Sequence, residues 1–370
     1  MLAAAAFIHS PDKCYPGCLS HRELRRTFFQ KSKMIYESNL GAEADTITQI
    51  QSLLLMSSWQ DEGDYAKDSH YWLSLAISTA QRLGLHQRSS APHSPLHRRL
   101  WWCIYLQDIR ISLALRRPRQ IKDEDSTVEP LTEEDLCCCF VSDRVFPALA
   151  SLQSMLDSRN QHAIIRQFLL AVQLGLQAGK VLDDFYHASW TQTIDPQLPL
   201  LLQPNTSITL TMGVSTEGSL DSAARVPGAN SFELREELTA INSEDDLRRV
   251  SLAVQRMDYY LLHRSALCYL FRSLDFSPQT SCSVWNVRLS DAARDITSIV
   301  ELFRHRLDVI LVPGIAVTAL SLAKEVHAME LKSARGNNKM HPLSMFRLCE
   351  RTLKSLYETY PAAISQSGLP

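Results

Sequence analysis

Asp68-Ser-His-Tyr-Trp-Leu-Ser-Leu-Ala-Ile-Ser-Thr-Ala-Gln-Arg-Leu-Gly84, followed after a polar connection by Ser94-Pro-Leu-His-Arg-Arg-Leu-Trp-Trp-Cys-Ile-Tyr-Leu-Gln-Asp108, decides how this chain folds. In the first run, Trp72, Leu75, Ala76, Thr79 and Leu83 recur at three- and four-residue spacings, which puts them on one face of a helix. Gly84 stops that helix, because glycine just past the last periodic residue supplies the left-handed backbone of a C-cap, and Leu85 packs back as its hydrophobic partner. In the second run, Ser94 before Pro95 is an N-cap followed by proline at the first helical position. Leu96, Leu100, Trp101, Cys103, Ile104, Ile111 and Leu115 then give a broad apolar surface, and Pro118 ends the segment.

Charge around this helix is blocked by sign. Arg98, Arg99, Arg110, Arg116, Arg117, Arg119 and Lys122 precede Asp123, Glu124, Asp125, Glu129, Glu133, Glu134 and Asp135. Opposite blocks so close in sequence are expected to face one another, so internal ion pairing is a better reading of Arg98, Arg99, Arg116, Arg117 and Arg119 than phosphate contact. Trp101 and Trp102 diverge by about 100 degrees around a helix, so one ring is expected in the core and the other partly exposed. Packing is the favoured role for both over ligand contact.

Six blocks in fixed order carry a resemblance. They are Leu53-Leu-Leu-Met-Ser-Ser-Trp59, Lys67-Asp-Ser-His-Tyr-Trp-Leu-Ser-Leu-Ala-Ile77, Ala80-Gln-Arg-Leu-Gly-Leu-His86, Arg98-Arg-Leu-Trp-Trp-Cys-Ile-Tyr-Leu-Gln-Asp108, Ser112-Leu-Ala-Leu-Arg-Arg-Pro118 and Ile121-Lys-Asp-Glu-Asp125. Together they resemble the middle homology regulatory domain of fungal zinc-cluster transcription factors, with signature positions Trp72, Gly84, Arg98, Arg99, Trp101, Trp102, Asp108, Arg117, Pro118, Asp123 and Asp125. The resemblance implies an all-α, non-catalytic module that lies downstream of a binuclear zinc cluster and governs how the factor responds to signals. It further implies a nuclear protein that meets DNA only through an N-terminal module, with the transcription machinery, a homo- or hetero-dimer with related factors, and a small-molecule effector as partners. The alternative is a helical adaptor or dimerisation partner that does not contact DNA.

The zinc cluster of that family needs six cysteines in an approximate C-x2-C-x6-C pattern repeated after a loop, since six thiolates hold two zinc ions. The nine cysteines here, Cys14, Cys18, Cys103, Cys137, Cys138, Cys139, Cys268, Cys282 and Cys349, form no such array. Zinc is therefore expected only in a missing N-terminal cluster, and no cofactor in this chain. Met1 to Ile8 resembles the interior of the family's first regulatory helix, so a truncated gene product or an incomplete gene model is the expectation. Cys14, Cys18 and His21 read as a loop around Pro16 and Gly17 rather than as metal ligands, and the triplet Cys137 to Cys139 as buried packing.

Composition narrows the class further. At 370 residues, with 45% hydrophobic and 21% charged residues, the chain can bury a substantial core. Its net charge of -2 argues against binding nucleic acid by charge alone. The longest apolar runs, Leu198 to Leu202 and Val309 to Leu320, are short or broken by Pro199 and by Pro313-Gly314, well below the ~20 residues that cross a bilayer. Asp183-Asp-Phe-Tyr-His187 resembles the aspartate-rich magnesium motif of all-α terpene cyclases. It has His187 where a carboxylate belongs and no second ligand set downstream, so no enzyme of that kind is expected. Phosphate loops, Rossmann fingerprints and nucleophile elbows are absent from the sequence.

Three regions follow from the rest of the chain: an N-terminal helical half over 1–190, a flexible Pro/Ser/Thr-rich insertion over 191–232, and a C-terminal helical half over 233–370. Thr132 to Asp135 has the form of a capping box, and Ala163 to His187 reads as a long helix. Ser207 to Met212 is a minor β-like patch within the insertion. Ser243 is expected to cap a helix whose apolar residues, from Leu252 to Phe271, occupy so much of the circumference that it should be central to the second half. Further helices are expected near Ser290 to Leu307, Val317 to Lys332 and Pro342 to Tyr360.

Overall fold

The computed structural model describes residues 20–38, 45–59, 67–88, 94–137, 158–193, 231–241, 247–274, 283–307, 311–333, 339–356 and 359–360. Among them the fold is all-α, with no strand. The expected β-like patch at Ser207 to Met212, the Ser243 cap, Cys14 and Cys18, and the insertion from 194 to 230 lie outside the described residues. Residues 191–193 of that expected insertion continue a long helix, and 231–232 begin another.

The chain divides into two compact units, one built from 1–111, 120–139 and 353–370, the other from 112–119 and 140–352. The first contains α1 (His21–Glu37), α2 (Thr46–Met56), α3 (Ser69–Arg82) and most of α4 (Pro95–Leu115), then a 3-10 turn at Asp123–Asp125 and α5 (Glu133–Cys137). Each of the early helices starts on a side-chain cap. Ser20 and Glu23 form a reciprocal capping box on α1, Asp45 accepts from Thr48 N–H at 2.7 Å on α2, and Asp68 accepts from Tyr71 N–H at 3.0 Å on α3. Ser94 Oγ accepts from His97 N–H at 3.4 Å at the start of α4.

α3 ends at the glycine that its sequence requires. Gly84 has φ 75°, its N–H donates to the Gln81 carbonyl at 2.9 Å, and Leu85 N–H donates to the Ala80 carbonyl at 3.0 Å. This is the double bond pattern of a left-handed helix stop, closed by the burial of Leu85. α2 packs against α3, with Ile50, Leu53 and Met56 buried on one and Trp72, Leu73, Ala76, Ile77 and Ala80 on the other.

The second unit holds α6 (Ser158–Thr193), α7 (Ser231–Ala240), α8 (Leu247–Leu274), α9 (Ser283–Arg306), α10 (Ile315–Ser333) and most of α11 (Met340–Leu356). α8 is its centre and packs on α6, α7, α9 and α10. A helix apolar on most of its circumference must be covered on most sides, which is how Val250, Ala253, Met257, Leu261 and Leu262 come to be buried. No helix among the described residues is long and apolar enough to cross a membrane.

Candidate functional site

Most signature residues lie on α4 and the segment that returns along it, while Trp72 and Gly84 belong to α3 and its end. Asp108 sits two thirds of the way along α4, 1% exposed, and its carboxylate accepts from the backbone N–H groups of Gln120 (3.0 and 3.2 Å) and Ile121 (2.9 Å). One buried side chain thus fixes where the chain turns back. Gln120 also receives the Ser74 hydroxyl at 2.6 Å, tying the return to α3. From there the segment runs antiparallel to α4 and is fastened at each turn: Tyr105 donates to Asp123 at 2.7 Å, Trp101 Nε1–H to Ser126 Oγ at 3.1 Å, and Trp102 Nε1–H to the Glu129 carbonyl at 3.1 Å. Arg98 pairs with Glu129 at 3.4 Å and with the buried carboxylate of Asp135, while Arg99 donates to the Asp135 carbonyl at 2.9 Å.

Both tryptophans are buried, Trp101 at 1% and Trp102 at 6% exposure. The expectation of one core and one partly exposed ring fails because the return segment covers the flank of α4 that solvent would otherwise wet. Each indole N–H then finds an acceptor on that segment, which makes burial of the amphipathic ring favourable. The two charge blocks meet at this brace, yet not every member joins it. Asp125 and Pro118 are exposed, as is Arg117. In the second unit, Arg116 pairs with Glu325, and Arg119 grips Asp183 through two bonds, one of them Nε to Oδ1 at 3.0 Å. Asp183, the first carboxylate of the aspartate-rich stretch, is therefore an arginine partner.

Thr132 and Asp135 cap α5 reciprocally, with Thr132 N–H donating to the Asp135 carboxylate at 3.0 Å and Asp135 N–H to Thr132 Oγ1 at 3.4 Å. Cys137, expected to be buried in packing, is exposed at the end of that five-residue helix. Too short to bury a full face, the helix inserts Asp135 and Leu136 and leaves its last residue in solvent.

The second unit has polar centres that local sequence does not announce. Glu301 on α9 accepts from Arg304 (two bonds at 3.0 Å), from Arg351 at 3.0 Å and from the Thr352 hydroxyl at 2.8 Å on α11. Burial alone would raise its pKa, but these donors prevail and pull it down to about 2. Nearby, Thr297 Oγ1 lies 3.1 Å from His327 Nε2 and 3.2 Å from Cys349 Sγ, while His327 Nδ1 lies 2.9 Å from Glu330. Burial pushes the Cys349 thiol up to about 11, which keeps it a thiol rather than a nucleophilic thiolate. Among the described residues no group of three or more His, Cys, Asp or Glu side chains is arranged to hold a metal ion.

Comparison with known proteins places these features in a family. The model of the fungal specific transcription factor domain matches residues 1–192, a span that includes the whole α4 brace. Over its full length the chain is 30% identical to cutinase transcription factor 1 beta of Fusarium vanettenii, of which it covers 43%. Transcription factor cpaR of Aspergillus oryzae is 27% identical over 60% of this chain and 37% of its own length. The acetamidase regulatory protein of Aspergillus fumigatus is 35% identical over 31% of this chain and 16% of its own. The chain thus spans less than half the length of these relatives. No solved structure matches it.

Proposed function

Because this chain belongs to the fungal specific transcription factor domain family, we propose that it is the regulatory body of a fungal zinc-cluster transcription regulator. In this reading it acts in the nucleus without catalysing a reaction. DNA is met through an N-terminal zinc-cluster module, and the helical body passes an effector or partner signal to the transcription machinery. Homo- or hetero-dimerisation with related factors belongs to the same reading. The observation that carries it is the family match over residues 1–192, supported by relatives that are themselves named transcription factors or regulatory proteins.

The α4 brace suits such a role. A helix with buried tryptophans is held largely by hydrogen bonds to one return segment, so anything that shifts that segment alters what covers the helix. Fusing the intact chain to an unrelated DNA-binding module upstream of a reporter tests the proposal. Expression above or below that of the module alone supports a regulatory body. A reporter indifferent to the fusion, with the fused protein folded and nuclear, overturns it in favour of an adaptor that acts without contacting DNA.

A further inference from the structure

Ser126 lies in the middle of the α4 brace, where its Oγ accepts the Trp101 indole N–H at 3.1 Å. The chain around it is acidic: Asp123, Glu124 and Asp125 precede it, and Glu129 follows three residues later. Two of these carboxylates hold the fold. Asp123 accepts from the Tyr105 hydroxyl at 2.7 Å, and Glu129 pairs with Arg88 at 3.1 Å and Arg98 at 3.4 Å. Glu124 and Asp125 differ, because both are exposed and neither side chain meets a partner among the described residues. The backbone is extended at Ser126, with φ -120° and ψ 126°, and 126–132 run without helix up to α5. Thr127, Glu129 and Pro130 are exposed on that run, and Ser126 itself is half-buried.

A protein kinase positions a target hydroxyl by drawing the flanking chain into its cleft in extended form, and the charges beside the hydroxyl decide which kinase does so. Carboxylates directly before the hydroxyl and three residues after it suit a kinase with a basic substrate groove. We propose that Ser126 is a phosphorylation site for an acidophilic protein kinase, and that its phosphate loosens the brace on α4. In the transfer, Ser126 Oγ attacks the γ-phosphorus of ATP, the new O–P bond replaces the bond to the β-phosphate oxygen, ADP leaves, and the hydroxyl proton passes to the kinase's catalytic base. Oγ becomes an ester oxygen, a weaker acceptor for Trp101, and a charge of about -1.5 to -2 joins Asp123, Asp125 and Glu129. The phosphoryl oxygens do not take over the Trp101 bond, because the buried indole edge would strip them of water. What the loosened brace does to transcription rests on the chain being a regulatory body, whereas the modification itself does not.

The intact chain is incubated with an acidophilic casein kinase and magnesium–ATP, the modified residue is located by mass spectrometry, and amide hydrogen exchange is compared before and after. Phosphate is expected on Ser126, with exchange at 120–129 about tenfold faster and α8 unchanged. Glu124→Gln combined with Asp125→Asn changes two exposed side chains outside the brace contacts. The pair should slow the transfer about tenfold while the unmodified chain exchanges as before. Phosphate on Thr127 instead, no phosphate on the folded chain, or a rate indifferent to the double variant overturns the site. Phosphate on Ser126 with unchanged exchange overturns the loosening. A reporter fusion that stays silent while Ser126 is modified and the brace loosened refutes the regulatory reading and leaves the site standing. An active fusion whose Ser126 takes no phosphate does the reverse.

Discussion

Asp108 and Glu301 are both largely buried carboxylates, and the two units use them in opposite ways. In the first unit Asp108 receives the backbone N–H groups of Gln120 and Ile121, so it fixes the course of the chain within a dozen or so residues of itself. In the second, Glu301 receives side-chain donors from α9 and α11, so it fixes how two helices separated by some fifty residues pack. A carboxylate bonded to local backbone specifies a path. A carboxylate bonded to distant side chains specifies an assembly. The first unit should therefore fail by losing its brace, and the second by loosening helix against helix while each helix persists.

The strongest way to break the first arrangement is to remove what the brace covers. Trp101→Ala deletes a ring that is 1% exposed, together with the donor to Ser126, and should destabilise the protein by about 3–5 kcal/mol in urea unfolding. An unchanged unfolding midpoint would mean that the ring is not in the core. Asp108→Ala comes next. It leaves the N–H groups of Gln120 and Ile121 without their acceptor in a partly dry site, at about 2–4 kcal/mol. Its signature should be regional, with faster amide hydrogen exchange at 120–129 than in α8.

For the second unit the matching change is Glu301→Gln, expected to cost about 2 kcal/mol because the arginine donors lose their charge partner while a hydrogen-bonding shape remains. This pair also makes the contrast depend on pH. Since the folded Glu301 carboxyl titrates near 2, below its ordinary value, its contribution is fully present above about pH 4.5 and is lost as the pH falls towards 2. Stability measured from pH 5 down to pH 2 should fall less steeply in Glu301→Gln than in the parent. Parallel curves would remove Glu301 from the acid response.

Much of the first unit was legible because its instructions are local. Asp68 and Gly84 bound α3, Ser94-Pro95 opens α4, and the charge blocks on either side of Lys122 announce a return against the helix. The burial of both tryptophans was not legible, because helical periodicity describes one element and says nothing of the segment that later covers it. α1 was missed although its signal is present: Ser20-His-Arg-Glu23 is a capping box, and Leu24, Phe28 and Phe29 follow it as a buried stripe. α8 was legible as a central helix from its all-round apolar surface. The Glu301 hub was not, since Arg351 and Thr352 lie some fifty residues away and no spacing rule connects them.

The finest test of the comparison uses one backbone conformation that, among the described residues, occurs once in each unit. Gly84 ends α3 with φ 75°, and Arg116 adopts φ 55° where α4 ends, with Arg117 N–H donating to the Ser112 carbonyl at 3.2 Å. A Cβ added at Gly84 would meet nothing within 4 Å, so Gly84→Ala isolates the backbone penalty and should cost about 1 kcal/mol without a steric contribution. Arg116→Gly removes the same penalty from the folded state. It also frees the unfolded chain and deletes the pairing with Glu325, an exposed bridge of the kind worth about 0–1 kcal/mol. Those terms oppose one another, and the expected change is below about 0.5 kcal/mol in either direction. A loss near that of Gly84→Ala would show that the arginine holds its helix end through its side chain. The second unit would then rely on side-chain partners even where the first relies on backbone alone.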